Sequence, residues 1–463
     1  MSICKKRAFE VLERISFERI AGTDKELEAA NIIKAECEKY GVEAHLESFE
    51  IDMPEVISAS LEVLSPTPWK INCAGFGKSG NTDECGVEGP LCYIENAMDA
   101  NILDVAGKIV LATGRISPEQ MKKIYDKGAK GYILVAGSLY DPEEMIPEIR
   151  TGNARKKADE DYNLPGVIIH ITDAEKLLRS CPETLRLCLK QDGDKKGTSH
   201  NVVARIEGTE KKDEIIAFSA HFDSVIYSSG AWDNGTGSIT IMELMHYFLA
   251  NPPKRTVEFI WCGSEEIGLI GSKDFVEKRK DELNKYLFNI NVDMTGVLLG
   301  FEIAVCSCEE AVAKYIDYLG KIEGFPISTR VDMYSSDSSS FAIAGVPAVT
   351  FARIQPRGGA EIHSRRDTMK YLDPDAFIKT VEFMAKFSDN LVNAKVFPVS
   401  KEMPKQLAER MEQMKKMFEQ SKKKEEKETK YAKYFAYFFL KMSPFNPYIS
   451  LIYEEINYEK YFK

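Results

Sequence analysis

Apolar positions along this chain change period several times, and the changes divide it into elements. From residue 8 to 50 the spacing predicts a helix, a turn, a second amphipathic helix from Lys25 to Tyr40, and then a strand over residues 44–51. Farther on, near-continuous runs of β-branched and aromatic residues read as buried strands. These are Glu-Ile-Ile-Ala-Phe-Ser-Ala before residue 221, Thr-Val-Glu-Phe-Ile-Trp-Cys before residue 263, Tyr-Leu-Phe-Asn-Ile-Asn-Val before residue 293, and Val-Pro-Ala-Val-Thr-Phe-Ala upstream of residue 363. The stretch Ile-Met-Glu-Leu-Met-His-Tyr-Phe-Leu reads as an apolar helix. Near residue 65, Ser-Pro-Thr-Pro opens a region of shorter strands at Lys108-Ile-Val-Leu-Ala, Gly131-Tyr-Ile-Leu-Val-Ala and Pro165-Gly-Val-Ile-Ile-His-Ile. Helices are predicted in the same region over 117–127 and 172–178, each with a polar residue at its start. Past residue 395 the pattern changes again: Leu407, Met411, Met414 and Phe418 form a helical stripe, and Tyr431 to Leu440 is too apolar to remain in water.

These shifts predict residues 1–65 as the first part of a main domain, 66–195 as an insert, 196–395 as its larger part and 396–463 as a helical and aromatic extension. A chain of 463 residues exceeds one ordinary core, and 44% hydrophobic with 29% charged residues is the balance of a globular protein. The formal net charge of −11 argues against nucleic-acid binding, since phosphate contacts need a basic surface, and it suits a site that receives a peptide's protonated amino terminus. Glu10, Glu13 and Arg14 interrupt the first apolar stretch before it could act as a signal peptide, and no run approaches a bilayer span. The ten cysteines are irregularly spaced, and Cys306 and Cys308 lack metal or redox spacing, so reduced thiols in a cytoplasmic protein are expected.

Candidate chemistry lies at the ends of the predicted strands. Five segments supply histidine and acid there: Ser-Ala-His221-Phe-Asp223, Gly-Ala-Trp-Asp233-Asn-Gly-Thr-Gly, Gly-Ser-Glu265-Glu266, Asn-Val-Asp293-Met-Thr and Glu-Ile-His363-Ser. Imidazole nitrogen and carboxylate oxygen both suit Zn²⁺, and a shared carboxylate can hold two cations at the ~3.5–4 Å separation of two-metal hydrolysis. Ligands just past several strand ends fit an open α/β sheet with its site beyond the carboxyl edge. The other histidines, His45, His170, His200 and His246, read as packed or locally bonded, without carboxylate company. A nucleotide site at Gly235-Thr-Gly237 is excluded by its glycine spacing.

In this order the segments resemble the zinc aminopeptidases of the bacterial leucyl aminopeptidase type, relatives of glutamate carboxypeptidase and the transferrin receptor ectodomain. The resemblance runs over most of residues 1 to about 395 and includes Ser199-His200-Asn201-Val202-Val203-Ala204 and Ser336-Asp337-Ser338-Ser339-Ser340-Phe341. It implies an α/β fold with a mixed central sheet and helices on both faces, and for residues 66–195 a small β-rich unit similar to the protease-associated domain. It further implies His221 and Asp293 on one metal, Glu266 and His363 on the other, and Asp233 bridging. Asp223 would orient the His221 ring through its remote N–H. Catalysis needs a carboxylate within reach of the attacking water and not tied to metal. Spacing leaves open which adjacent glutamate that is, and the resemblance makes it Glu265. Where some members carry a tyrosine before the last histidine, this chain has Ile362, so the oxyanion donor is unassigned, with Tyr334 and Arg353 as candidates.

The expected function is a two-zinc aminopeptidase acting on peptides, other divalent metals being alternatives. A carboxypeptidase or other amidase on the same site, or a silent peptide-binding relative, are the rivals. The insert is expected either to wall the cleft or to serve as a passive module. For the aromatic tail an intramolecular brace is favoured over a homodimer contact, and a membrane contact is disfavoured by Glu454, Glu455 and Glu459.

Overall fold

The computed structural model describes residues 3–411 apart from 115, 150–151, 155–161, 357–359, 406 and 410. Helices α1 (Lys5–Ile15) and α2 (Asp24–Lys39) precede strand β1 (Ala44–Asp52). Thr23 caps α2 by accepting the Glu26 N–H through its side chain, and Asp24 and Glu26 lie in the first turn, where the helix dipole favours acids. The insert follows with β2 (Glu55–Ser65), β3 (Trp69–Ile71), β4 (Cys73–Gly75), β5 (Val87–Gly89), β6 (Leu91–Tyr93), β7 (Ile109–Leu111), α3 (Pro118–Asp126), β8 (Gly131–Ala136), β9 (Gly166–His170), α4 (Ile171–Ser180) and β10 (Thr184–Asp192). The chain returns through β11 (Lys196–Ile206), β12 (Lys211–His221), α5 (Gly237–Ala250), β13 (Arg255–Cys262), α6 (Ile270–Lys278), β14 (Tyr286–Val292) and β15 (Phe301–Ser307). It ends with α7 (Glu310–Glu323), β16 (Ile327–Val331), α8 (Ser338–Ile343), β17 (Ala348–Ile354) and α9 (Pro374–Val392).

The main sheet has eight strands in the order β1-β11-β13-β12-β14-β17-β15-β16. Its centre, β13-β12-β14-β17, is parallel, whereas β1-β11-β13 and β17-β15 pair antiparallel, so the sheet is mixed. Both faces are covered. Ile216, Phe218 and Ala220 of β12 join a core with α1, α2, α5, α7 and α9, while Ile215 and Ala217 join another with Phe275 of α6 and Phe341 of α8. Every residue of β13 is buried, which explains its near-continuous apolar run; its charged members are paired, Arg255 with Glu214 and Glu258 with Arg205 and the Tyr286 hydroxyl. Helix α5 is apolar on nearly all sides because it lies inside the larger core; at ~25 cal/mol per Å², a fully buried Ile239, Leu244 or Phe248 contributes roughly 1.5–3 kcal/mol each.

The insert holds a four-stranded sheet, β3-β2-β10-β5, and a five-stranded one, β4-β9-β8-β7-β6, over cores that include Leu187, Ile133 and Val167 in one and Val110, Ile124 and Tyr132 in the other. Helix α3 starts with a reciprocal capping box between Ser117 and Gln120. Two expectations need correction. Strand β2 pairs with β10 over Glu55–Asp192 to Ser65–Thr184, so the sheet change comes at Met53–Pro54 and not at residue 66. Helix α4 starts at Ile171, one residue before the expected Thr172, and is capped by the ring of His170, which accepts the Thr172 N–H.

All ten cysteines are free; Cys37, Cys262, Cys306 and Cys308 are buried, and Cys85 and Cys181 are exposed. Among the described residues no helix is long and apolar enough to cross a membrane. Leu407 and Met411 of the expected carboxyl-terminal stripe are buried with Ala342 and Ala348. Met414, Phe418 and the aromatic run from Tyr431 to Leu440 lie outside the described residues.

Candidate active site

Four adjacent parallel strands aim their carboxyl ends at one place. His221 ends β12; Glu265 and Glu266 follow β13; Asp293 follows β14; and β17 leads into the loop bearing His363. Asp233 enters from the turn before α5. All seven residues anticipated from the sequence stand within this region, and their atoms form two sets that share one residue. His221, Asp233 and Asp293 bring candidate ligand atoms within 4.8 Å of one another, as do Asp233, Glu266 and His363. The two oxygens of Asp233 divide between the sets: Oδ1 lies 3.2 Å from His221 Nε2 and Oδ2 3.0 Å from His363 Nε2. His221 Nε2 is also 3.6 Å from Asp293 Oδ1, and His363 Nε2 is 3.0 Å from Glu266 Oε1. Glu265 belongs to neither set, its Oε2 lying 3.9 Å from His221 Nε2.

Asp223 does more than face the His221 ring. Its Oδ1 is 3.5 Å from His221 Nδ1, which lies nearer, at 3.3 Å, to the Asp223 carbonyl oxygen. The carboxylate itself accepts the backbone N–H groups of Glu265, at 3.0 Å, and Glu266, at 3.2 Å. The His-x-Asp turn thereby fixes the chain that presents both glutamates.

Three supporting residues were not anticipated. Asn234 donates to the Val292 carbonyl at 2.8 Å and accepts from the Gly237 and Met294 N–H groups at 2.9 Å each, joining the Asp233 turn to the end of β14. A side chain at Gly237 would meet Asn234 Oδ1 at 2.2 Å and the Val292 carbonyl at 2.6 Å, so this approach needs glycine. Asp367, four residues after His363, accepts the Trp232 N–H at 2.7 Å and the Asp233 N–H at 3.0 Å. Arg19, fully buried, donates to the carbonyls of Phe222, Ser229 (2.5 Å) and Gly230 (2.7 Å), clamping the loop between His221 and Asp233. Asn234, next to Asp233 in its quoted turn, and Asp367, an acid within one turn of a candidate ligand, had local signals; Arg19 had none. Ser264, Met294 and His363 all have left-handed backbone, with φ of 59°, 68° and 59°. Such conformations cost L residues of order 1–2 kcal/mol each and persist where surroundings over-determine them.

Burial, together with Asp293, Asp337 and Glu266, pushes the Glu265 carboxyl well above the usual carboxylate range against the pull of His221. Burial opposes protonation of His363, yet its contacts with Asp233 and Glu266 raise it to about 9. Burial and the Asp233 charge push Asp367 up to about 7. Burial lowers Arg19 to about 10, with Asp367 and Asp223 acting in the other direction. Of the two oxyanion candidates, Arg353 is committed elsewhere, paired with Glu302 at 3.0 Å and donating to the Val297 carbonyl at 2.7 Å. The Tyr334 phenol is raised by burial and then by the charges of Asp293, Asp233 and Glu265, which places it in the field of the site. His246 is buried without a hydrogen-bond partner among the described residues, as a packed histidine. The expectation that the remaining histidines lack carboxylates fails twice, because Nε2 of His170 lies 3.0 Å from Asp141 and that of His45 3.1 Å from Glu47.

The model of peptidase family M28 matches residues 201–388, a span that holds every residue of both sets. The chain carries a peptidase family M28 domain. It is 26% identical over 436 residues to aminopeptidase YwaD of Bacillus subtilis, covering 88% of each chain. It is 23% identical over 378 residues to carboxypeptidase Q of Homo sapiens, covering 77% of this chain and 78% of that one. Among solved structures, BSAP, a zinc aminopeptidase from Bacillus subtilis, superimposes with a TM-score of 0.70 at 24% identity, covering 85% of this chain and 96% of that one. That likeness shows a shared fold extending beyond the M28 domain.

Proposed function

We propose that this protein is a metallo-aminopeptidase that hydrolyses the amino-terminal bond of peptides with two zinc ions. The observation that carries the reading is the division of Asp233, one oxygen toward each histidine, between two ligand sets. The donors fit divalent cations: nitrogen and oxygen only, crowded acids beside two imidazoles, and a buried Asp293 Oδ1 with no hydrogen-bond partner among the described residues. His221, Asp233 and Asp293 would hold one cation, and Asp233, Glu266 and His363 the other. Bound there, zinc supplies Lewis acidity toward the scissile carbonyl and eases deprotonation of water.

Glu265, outside both sets, accepts the proton of the attacking water and returns it to the leaving amine nitrogen. Asp223 keeps Glu265 and Glu266 in register through their backbone N–H groups. Tyr334 is the side chain proposed to hold the developing oxyanion. The insert, proposed as a protease-associated unit, walls the cleft. The likeness to YwaD over most of both chains supports cleavage at the amino end, and the one to carboxypeptidase Q keeps the opposite polarity as the second reading. A cytoplasmic location accords with the ten unpaired thiols.

Dipeptides with free, acetylated and carboxyl-blocked ends decide the polarity. Acetylation is expected to abolish hydrolysis and carboxyl blocking to be tolerated; the reverse pattern replaces the aminopeptidase by the carboxypeptidase reading. Metal analysis of active protein is expected to give two zinc equivalents.

A further inference from the structure

The insert reaches the loop that carries His363. In the segment after β8, Asp141 and Glu148 are largely buried, their side chains 9% and 10% exposed. Asp141 is held on its own domain: Oδ2 accepts the Ser138 N–H at 2.7 Å and lies 3.0 Å from His170 Nε2, whose other nitrogen accepts the Thr172 N–H. Its Oδ1 points outward, 3.5 Å from Arg366 Nη2. Glu148 pairs with Arg365, and Arg366 pairs also with Glu361. The residues two and three places after His363 are thus both drawn onto acids of the insert.

The segment needs such support. His363 adopts a left-handed backbone that an L residue holds only when its surroundings impose it, and its ring is 28% exposed, so packing alone does not enclose it. On the inner side Asp367 ties the segment to the Asp233 turn. On the outer side the ties come from the insert. We propose that Asp141 and Glu148 are positioning residues for His363, so that cation affinity at the Asp233–Glu266–His363 set depends on a domain contributing no ligand to it. The inference rests on the two-metal reading above and assigns the insert a role in the metal site besides walling the cleft.

The test uses the full chain with D141N and E148Q combined, titrated with Zn²⁺ against a chromophoric chelator, together with amide exchange of residues 361–367 in metal-free protein. One zinc equivalent is expected to weaken by roughly 10- to 100-fold, the range for losing groups that orient ligands, while the other is unchanged. Exchange of the segment accelerates. Reversing one pair, E148R with R365E, restores the affinity lost in E148Q. Unchanged affinities with unchanged exchange overturn the proposal, as does a reversed pair that binds no better than E148Q. If the double variant does not fold, E148Q alone is measured, since its partner Arg365 is 58% exposed and tolerant of a lone charge. A wild-type chain that binds no zinc removes the two-metal reading and this proposal with it, and is seen before any variant is made.

Discussion

His246 offers a quantitative check on the packing beneath the site. Its side chain is fully buried in α5, neither ring nitrogen has a hydrogen-bond partner among the described residues, and the Tyr40 ring stands edge-on at 4.3 Å. Burial first, and then Arg7 of α1, lower its pKa from 6.5 to about 4, with Lys39 acting in the same direction and Glu36 against it. Because the folded value lies below the unfolded one, the unfolded chain binds the proton first on acidification. The stability contribution is therefore complete above about pH 6.5 and is lost as pH falls toward 4. At 1.36 kcal/mol per unit the loss is at most about 3 kcal/mol. His246→Leu removes the titrating ring at similar volume. At pH 7.5 relief of an unsatisfied polar ring offsets the lost aromatic contact, ~1 kcal/mol each, and the change is small. At pH 4.5 the variant is expected to be the more stable by about 2–3 kcal/mol. An unfolding entropy of ~2.1 cal/mol/K per residue makes that roughly 2–3 °C in Tm for this chain length. The measurement is the Tm difference between variant and wild type at each pH, referenced to pH 7.5, so that groups common to both cancel. Parallel Tm curves over pH 4.5–7.5 would refute a neutral buried histidine.

Glu265→Gln keeps shape and leaves both ligand sets intact; turnover is expected to fall by ~10²-fold or more with metal content retained, and near wild-type turnover removes the base assignment. Asp233→Ala withdraws the residue common to both sets, so metal analysis is expected to find less than the full complement; a fully loaded, active variant would mean another residue bridges. Asp367→Asn removes one of the two acceptor oxygens facing Trp232 and Asp233, which is expected to weaken zinc binding by roughly 10- to 100-fold; titration showing wild-type affinity would make Asp367 an ordinary loop residue. Tyr334→Phe is expected to lower kcat by at least ~10²-fold with KM little changed, and an unaltered kcat excludes the phenol from the oxyanion site.

Strands β12, β13, β14 and β17 of the main sheet, and the histidines and acids beyond their ends, were legible because their signals are local; β15 and β16 were not read. A strand buried on both faces is mostly apolar, so the buried parts of β12, β13 and β14 read as near-continuous runs, and a histidine or acid such as His221 or Asp293 at the strand end stands out against them. The pattern of β2 is weaker, with exposed and half-buried positions over most of its length, and its pairing with β10 depends on a partner well over a hundred residues away. Arg19 clamps carbonyls, which leave no trace in side-chain spacing, and Asp223 likewise binds backbone N–H groups, so the sequence showed its acid but not its second duty. The company of Asp141 and His170, and the reach of the insert acids to Arg365 and Arg366, arise only when the sheets and loops are assembled. Amino-acid order by itself carried the elements with a strong local period and the donor types of a candidate metal site, since periodicity and donor chemistry are properties of short segments. Tertiary structure alone decided that Asp233 turns one oxygen to each histidine and that acids of the insert reach Arg365 and Arg366 beside the last of them, because such contacts join residues far apart in the chain.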